Sequence, residues 1–156
     1  MQLNAVTHPD LHLTRAAALA GLALASVGFL TPAWAALPAL QHQGSVEYVS
    51  GGIGIDESTS FKEAMAKFPL SMTFDQAEQG GKGDYVADVK VAIADAHGKP
   101  VLDTTAQGPY LLARLPDGRY QVKATYQQQT ETRDVTIAGK ESKHLVFSWR
   151  SGAAKQ

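Results

Sequence analysis

Between Val46 and Trp149 the hydrophobic positions of the chain follow two different periods. Phe61, Ala64, Met65 and Phe68 recur at i, i+3, i+4 and i+7, which places all four on one face of a helix. On either side of that segment apolar residues recur at every second position, the period of a strand with one buried and one wet face. The first such stretch sets Val46, Tyr48 and Ser50 against Glu47 and Val49. After the helix, Leu70, Met72 and Phe74 alternate with Ser71 and Thr73, and Val89, Val91 and Ile93 with Asp88, Lys90 and Ala92. Tyr120, Val122, Ala124 and Tyr126 alternate with Gln121, Lys123 and Thr125. Val135 and Ile137, then Leu145, Phe147 and Trp149, continue the pattern.

The helix is expected over about 57–68, with Asp56 or Ser60 as N-cap. Ser60 and Glu63 have capping-box spacing, in which each side chain satisfies a free backbone N–H of the first turn. Pro69 disfavours helical geometry at Phe68 and ends the element. Turns are expected at His97–Pro100, Gly108-Pro109, Pro116–Gly118 and Ala138–Lys140, since proline presets one dihedral and glycine accepts a positive one. About seven strands follow the helix, with turn signals about every 8–12 residues. The expected fold is mainly β: an antiparallel seven-strand sandwich of two sheets with one short N-terminal amphipathic helix.

The N-terminus follows another pattern. Arg15 precedes an apolar run from Ala16 to Leu30, then Pro32, then Ala33 and Ala35 in small-x-small spacing. That is the order of a secretory signal with cleavage after Ala35. A retained anchor is the alternative, but about 15 apolar residues fall short of the roughly 20 that span a bilayer. With no cysteine in the chain, a lipid-modified leader is excluded. The organisation expected is a signal peptide over 1–35, a tether over 36–44, the sandwich over 45–150 and a disordered tail over 151–156. The location expected is periplasmic or secreted, with membrane contact only through an uncleaved leader. Roughly 120 residues remain, enough to bury a core without metal or disulfide staples.

Charge narrows the functional classes. The chain has 14 Lys+Arg and 15 Asp+Glu, a net charge of -1, so no broad field attracts nucleic acid or an anionic membrane. Lys62, Lys67, Lys90, Arg114, Lys123, Arg133 and Arg150 are scattered and form no basic run. The absence of cysteine also removes thiolate nucleophiles and cysteine metal sites. His42, His97 and His144 lie far apart in the sequence and suggest no zinc pair.

One short segment raises a question of chemistry. YVSGGIGIDES, from Tyr48 to Ser58, puts Gly51, Gly52 and Gly54 just before the helix. A phosphate cradle needs free backbone N–H groups there, with a lysine or a further spaced glycine. Asp56 and Glu57 occupy that position instead; they repel an anion and compensate the helix dipole. The glycines then serve as a bend between strand and helix, and the loop as a surface for a partner or cation. The GGKGD loop, with Lys82 and Asp84, is the second expected contact surface. The serine of a G-x-S-x-G turn is absent. Paired carboxylates such as Glu47 with Asp56, or Asp84 with Asp88, are expected to serve solubility. Tyr120, Tyr126 and Trp149 fall on apolar faces, so core packing is expected for them before sugar stacking.

The strands from Asp84 to Phe147 carry a resemblance. Val89-Val91-Ile93, then Asp95-Gly98-Pro100-Val101, then Leu115-Pro116-Gly118-Tyr120-Val122 resemble the carboxypeptidase regulatory-like domains, which are transthyretin-like or prealbumin-like seven-strand sandwiches. The segment around the glycines lies outside that common pattern. It resembles the N-terminal part of small exported proteobacterial proteins with this sandwich. The resemblance implies fold and location, and a role in binding, presenting or stabilising. It implies no active site and no cofactor. The expected function is a non-enzymatic exported module that binds a protein or envelope component, as a monomer or weak homodimer. The alternative is a carbohydrate-binding or accessory domain of an envelope enzyme. A small hydrolase ranks third and would need a histidine, a serine and a buried acid brought together by the fold.

Overall fold

The computed structural model describes residues 36–78 and 83–150. The expected leader, Lys82 and the tail over 151–156 lie outside the described residues. Ten strands and one α-helix follow in order: β1 (Gln41–Gln43), β2 (Val46–Gly51), α1 (Ile55–Ala64), β3 (Leu70–Ala77), β4 (Asp84–Tyr85), β5 (Val89–Asp95), β6 (Pro100–Ala106), β7 (Tyr110–Arg114), β8 (Gly118–Tyr126), β9 (Gln129–Ile137) and β10 (Lys143–Arg150). They form two sheets. The first runs β1-β2-β7-β3-β10, with β4 beside β3; the second runs β6-β5-β8-β9. The expected mainly-β sandwich with a single short helix is the fold observed.

The alternation dictates how the sheets face each other. Leu70, Met72, Phe74, Leu111, Ala113, Phe147 and Trp149 of the first sheet meet Val89, Val91, Ile93, Leu102, Val122, Ala124 and Ile137 of the second in one buried core. The first sheet is covered on its other face too. There Phe61, Ala64 and Phe68 of the helical segment pack on Val49, Tyr110 and Leu112. Burial on both faces explains why β2 and β7 alternate so weakly in polarity: neither face needs to be wet.

Three features depart from the sequence expectation. First, Gln41–Gln43, expected within a tether, pairs antiparallel with β2. Second, α1 begins at Ile55, and Met65–Lys67 continues it as a 3-10 turn. Its N-cap is Gly54, with no side-chain cap, and the Ser60–Glu63 capping box does not form. Ser60 lies inside the helix, and its hydroxyl donates to Asp56 O at 3.1 Å. Third, β3 and β10 run parallel, with Leu145 beside Met72 and Phe147 beside Phe74. The connection after β9 crosses from one sheet to the other and is anchored where β3 starts. Ser142 Oγ donates to Met65 O and Phe68 O at 2.9 and 2.8 Å, and Lys143 N–H donates to Pro69 O at 2.9 Å. A strand that starts beside Leu70 must run in the same direction as β3.

The open sides of the sandwich are laced by side chains. Gln43 Oε1 accepts from Asp103 N–H at 2.7 Å. Thr104 Oγ1 donates to Tyr48 OH at 3.2 Å, and Gln107 N–H donates to Ser50 Oγ at 3.2 Å. These bonds join β1 and β2 to the neighbourhood of β6, the edge of the second sheet. On the opposite side Trp149 Nε1–H donates to Gln129 O at 3.0 Å.

The expected turns are built by named bonds. Tyr120 OH donates to Pro116 O at 2.9 Å and clamps the turn before β8. Between β5 and β6, Asp95 Oδ1 accepts from His97 N–H at 2.9 Å and Lys99 N–H at 3.0 Å. The Lys99 N–H, then the His97 N–H, holds the Asp95 carboxyl below its ordinary range. A depressed folded pKa means that the stabilisation is present above the unfolded value of about 3.9 and is lost as pH falls through the lower folded value. Urea unfolding measured below about pH 4 should therefore show a loss of stability that Asp95→Ala reduces. An identical acid profile in the variant would count against this turn as a source of acid sensitivity.

Candidate functional site

The segment from Gly51 to Glu57 connects β2 to α1. Gly51 pairs with Tyr110 at the end of the sheet. At Gly52, φ is +99°, and a Cβ would stand 2.2 Å from Tyr110 Cδ2. A Cβ on Gly51 would stand 2.3 Å from Glu57 Oε1. The glycines are therefore required by close approach: the loop lies flat on the Tyr110 ring, and the Glu57 side chain folds back over Gly51. Tyr110 is itself fixed, stacked on Phe61 at 5.8 Å and 18°, with its hydroxyl 3.3 Å from Ser58 Oγ.

This closely packed base presents two apolar side chains to solvent. Ile53 is 66% exposed and Ile55 86% exposed. Asp56 is exposed beside them and Glu57 is half-buried, both in the first turn of α1. The sequence pointed to the glycines and carboxylates of this loop and missed the isoleucines. The signal was legible: an Ile-Gly-Ile run between a strand end and a helix start is too short to turn either side chain into a core. The two carboxylates and the two isoleucines crowd the helix start, an arrangement that suits an apolar, acidic contact and not a phosphate.

The second expected surface converges on the same end of the sheet. Asp84 is exposed in β4, paired with Gln76, and its neighbour Tyr85 pairs with Asp75. Tyr85 is 56% exposed, and its ring lies 5.6 Å from Tyr110. The hydrogen bond with Tyr110, then burial, raises the Tyr85 pKa, and the nearby Lys62 opposes the rise. Lys62 Nζ stands 6.0 Å from the centre of the Tyr85 ring. Tyr110 thus links the glycine loop, α1 and β4.

A polar ladder crosses β3 and β10 on the helix side of the sheet. His144 Nε2 lies 2.9 Å from Thr73 Oγ1, and Ser148 Oγ donates to Asp75 Oδ1. Histidine, hydroxyls and carboxylate share a face, but the pairs are Thr–His and Ser–Asp, separately closed. A nucleophile relay needs one hydroxyl, one imidazole and one acid in series, and these bonds do not provide it. Glu47 is engaged by Arg114 at 3.3 Å and by His42 at 3.9 Å. Among the described residues no group of three or more His, Asp or Glu could hold a metal ion.

No protein-family model and no curated protein matches the chain. Among solved structures it is similar to S.CueP, with 9% identity and a TM-score of 0.35, over 49% of this chain and 59% of that one. It is also similar to the Bacillus anthracis TIE protein, with 14% identity and a TM-score of 0.36, over 52% of this chain and 16% of that one. The chain spans less than two thirds of the length of either.

Proposed function

We propose that the chain is a non-enzymatic, exported binding module with a carboxypeptidase regulatory-like sandwich, and that it engages a protein or envelope component through the Gly51–Glu57 loop. One observation carries this reading: Ile53 and Ile55 stand in solvent at the start of α1, where Gly51 and Gly52 pack closely against Glu57 and Tyr110. Large apolar side chains displayed on an ordered loop lose little entropy on docking and gain burial energy. Export rests on the signal-like pattern before Ala36, and the sandwich family on the Val89–Val122 motif pieces. Cross-linking in the native envelope, followed by mass spectrometry, tests partner and compartment together. The double variant Ile53→Asp, Ile55→Asp should reduce the cross-linked partner at least about tenfold with an unchanged melting temperature. Equal cross-linking by the variant would remove the loop from the binding surface.

A second reading is favoured by Tyr85 alone, an exposed ring at the same end of the sheet. A carbohydrate-binding or accessory module would stack a sugar there. Retention on peptidoglycan that Tyr85→Ala abolishes and the isoleucine variant leaves intact would decide for it.

A further inference from the structure

On the second sheet, on the face turned away from the core, lies an open groove of about 540 Å³, within the usual range of about 300–1,000 Å³ for small-ligand sites. One wall is the end of β5 and its turn, where Ala94, Ala96 and Gly98 leave room. A register shift between Ile93 and Ala94 interrupts the β5–β6 pairing just there. The other wall is β8 and β9, with Arg119 opposite Thr136 and Gln121 opposite Asp134.

The polar groups of this groove are incompletely used. Arg114 and Arg133 each have a carboxylate partner, whereas the Arg119 side chain makes no ion pair or hydrogen bond among the described residues. Asp134 uses Oδ1 for Gln121 Nε2 at 3.3 Å, and Asp95 uses Oδ1 for both of its backbone donors. Neither Oδ2 accepts a hydrogen bond from the described residues. A guanidinium and two carboxylates thus line the same groove with hydrogen-bonding capacity to spare. A simple anion would meet the repulsion of Asp95 and Asp134. A pyranose would find no exposed ring, because Tyr120 is 8% exposed and its hydroxyl is bonded to Pro116 O.

We propose that this groove binds a small zwitterion, an α-amino acid or short peptide, with its carboxylate on Arg119 and its ammonium on Asp134. Charge-assisted bonds of this kind are strong and, with arginine, bidentate. The site is independent of the glycine loop and of any partner that loop engages.

The test is an amide NMR titration of the protein with L-alanine, L-alanyl-L-alanine, its methyl ester and its N-acetyl form. Saturable shifts are expected at residues 119–121 and 134–136 with the free dipeptide, and binding about tenfold weaker with either capped form. The tighter of alanine and the dipeptide identifies the source of the ligand. Arg119→Gln should bind the ester as well as the free acid, and Asp134→Asn should bind the N-acetyl form as well as the free amine. Both residues are exposed, so both variants should keep the native melting temperature. No saturable shift, sensitivity to only one cap, or equal shifts with maltose would each overturn the assignment.

Discussion

Trp149→Ala should lower the unfolding free energy by about 3–5 kcal/mol. Trp149 is 2% exposed and closes an aromatic cluster between the sheets. Its ring lies 6.3 Å from Phe147, 6.4 Å from Phe74 and 5.5 Å from Tyr126. Removing it leaves a cavity among rings that cannot collapse into the space, and it orphans Gln129 O, which loses its indole donor. Trp149→Phe keeps much of the ring packing and should cost about 1–3 kcal/mol, chiefly for the unmet carbonyl and the smaller ring. A domain of this size has a total stability of about 5–15 kcal/mol, so the alanine variant should show a much lower urea midpoint. A loss below about 1 kcal/mol in that variant would mean that the cluster does not hold the sheets together.

The second large effect is expected at Gly52. Gly52→Ala adds a methyl 2.2 Å from the Tyr110 ring at a φ of +99°. Backbone strain and overpacking each cost about 1–3 kcal/mol, so a total loss of about 2–6 kcal/mol is expected. Gly54→Ala separates the two causes. Its φ is +94° and ψ 161°, a conformation nearly confined to glycine, but a Cβ there meets nothing within 4 Å. Only the strain of about 1–3 kcal/mol should appear. Placing Gly52→Ala in a Tyr110→Leu background should restore part of the loss, since the clash depends on the ring. Additive effects of those two substitutions would show that the loop does not rest on Tyr110.

The elements with a one-sided environment were legible in the sequence. Phe61 and Ala64 form the buried face of the helix as their spacing implies, while Phe68 joins the same cluster from extended backbone after the 3-10 turn, and β5 and β8 bury the residues that alternation selects. What local pattern could not show was pairing between segments far apart in the chain. The parallel register of β3 and β10 follows from the anchoring of Ser142 to Met65 and Phe68, over 70 residues earlier in the chain. The pairing of Gln41–Gln43 involves three exposed residues with no apolar signature. The helix start depends on the backbone of Gly54 and on no side chain, so the serine and aspartate signals misplaced it. In the candidate site, Gly51, Gly52, Gly54, Asp56, Glu57 and Asp84 gather at one end of the first sheet, as β2, β4 and α1 bring them there. The isoleucines were legible as a short Ile-Gly-Ile run and were missed, whereas Arg119 and Asp134 came together only through the β8–β9 register.

The contact of Gln43 with Asp103 has a consequence for self-association. Asp103 lies on β6, the edge of the second sheet, and a glutamine side chain from β1 caps its outward N–H. Unguarded borders of this type recruit further copies and seed fibrils. A protease cut that frees Gln41–Gln43 would remove this side-chain cap and leave the β6 edge open to pairing with another strand.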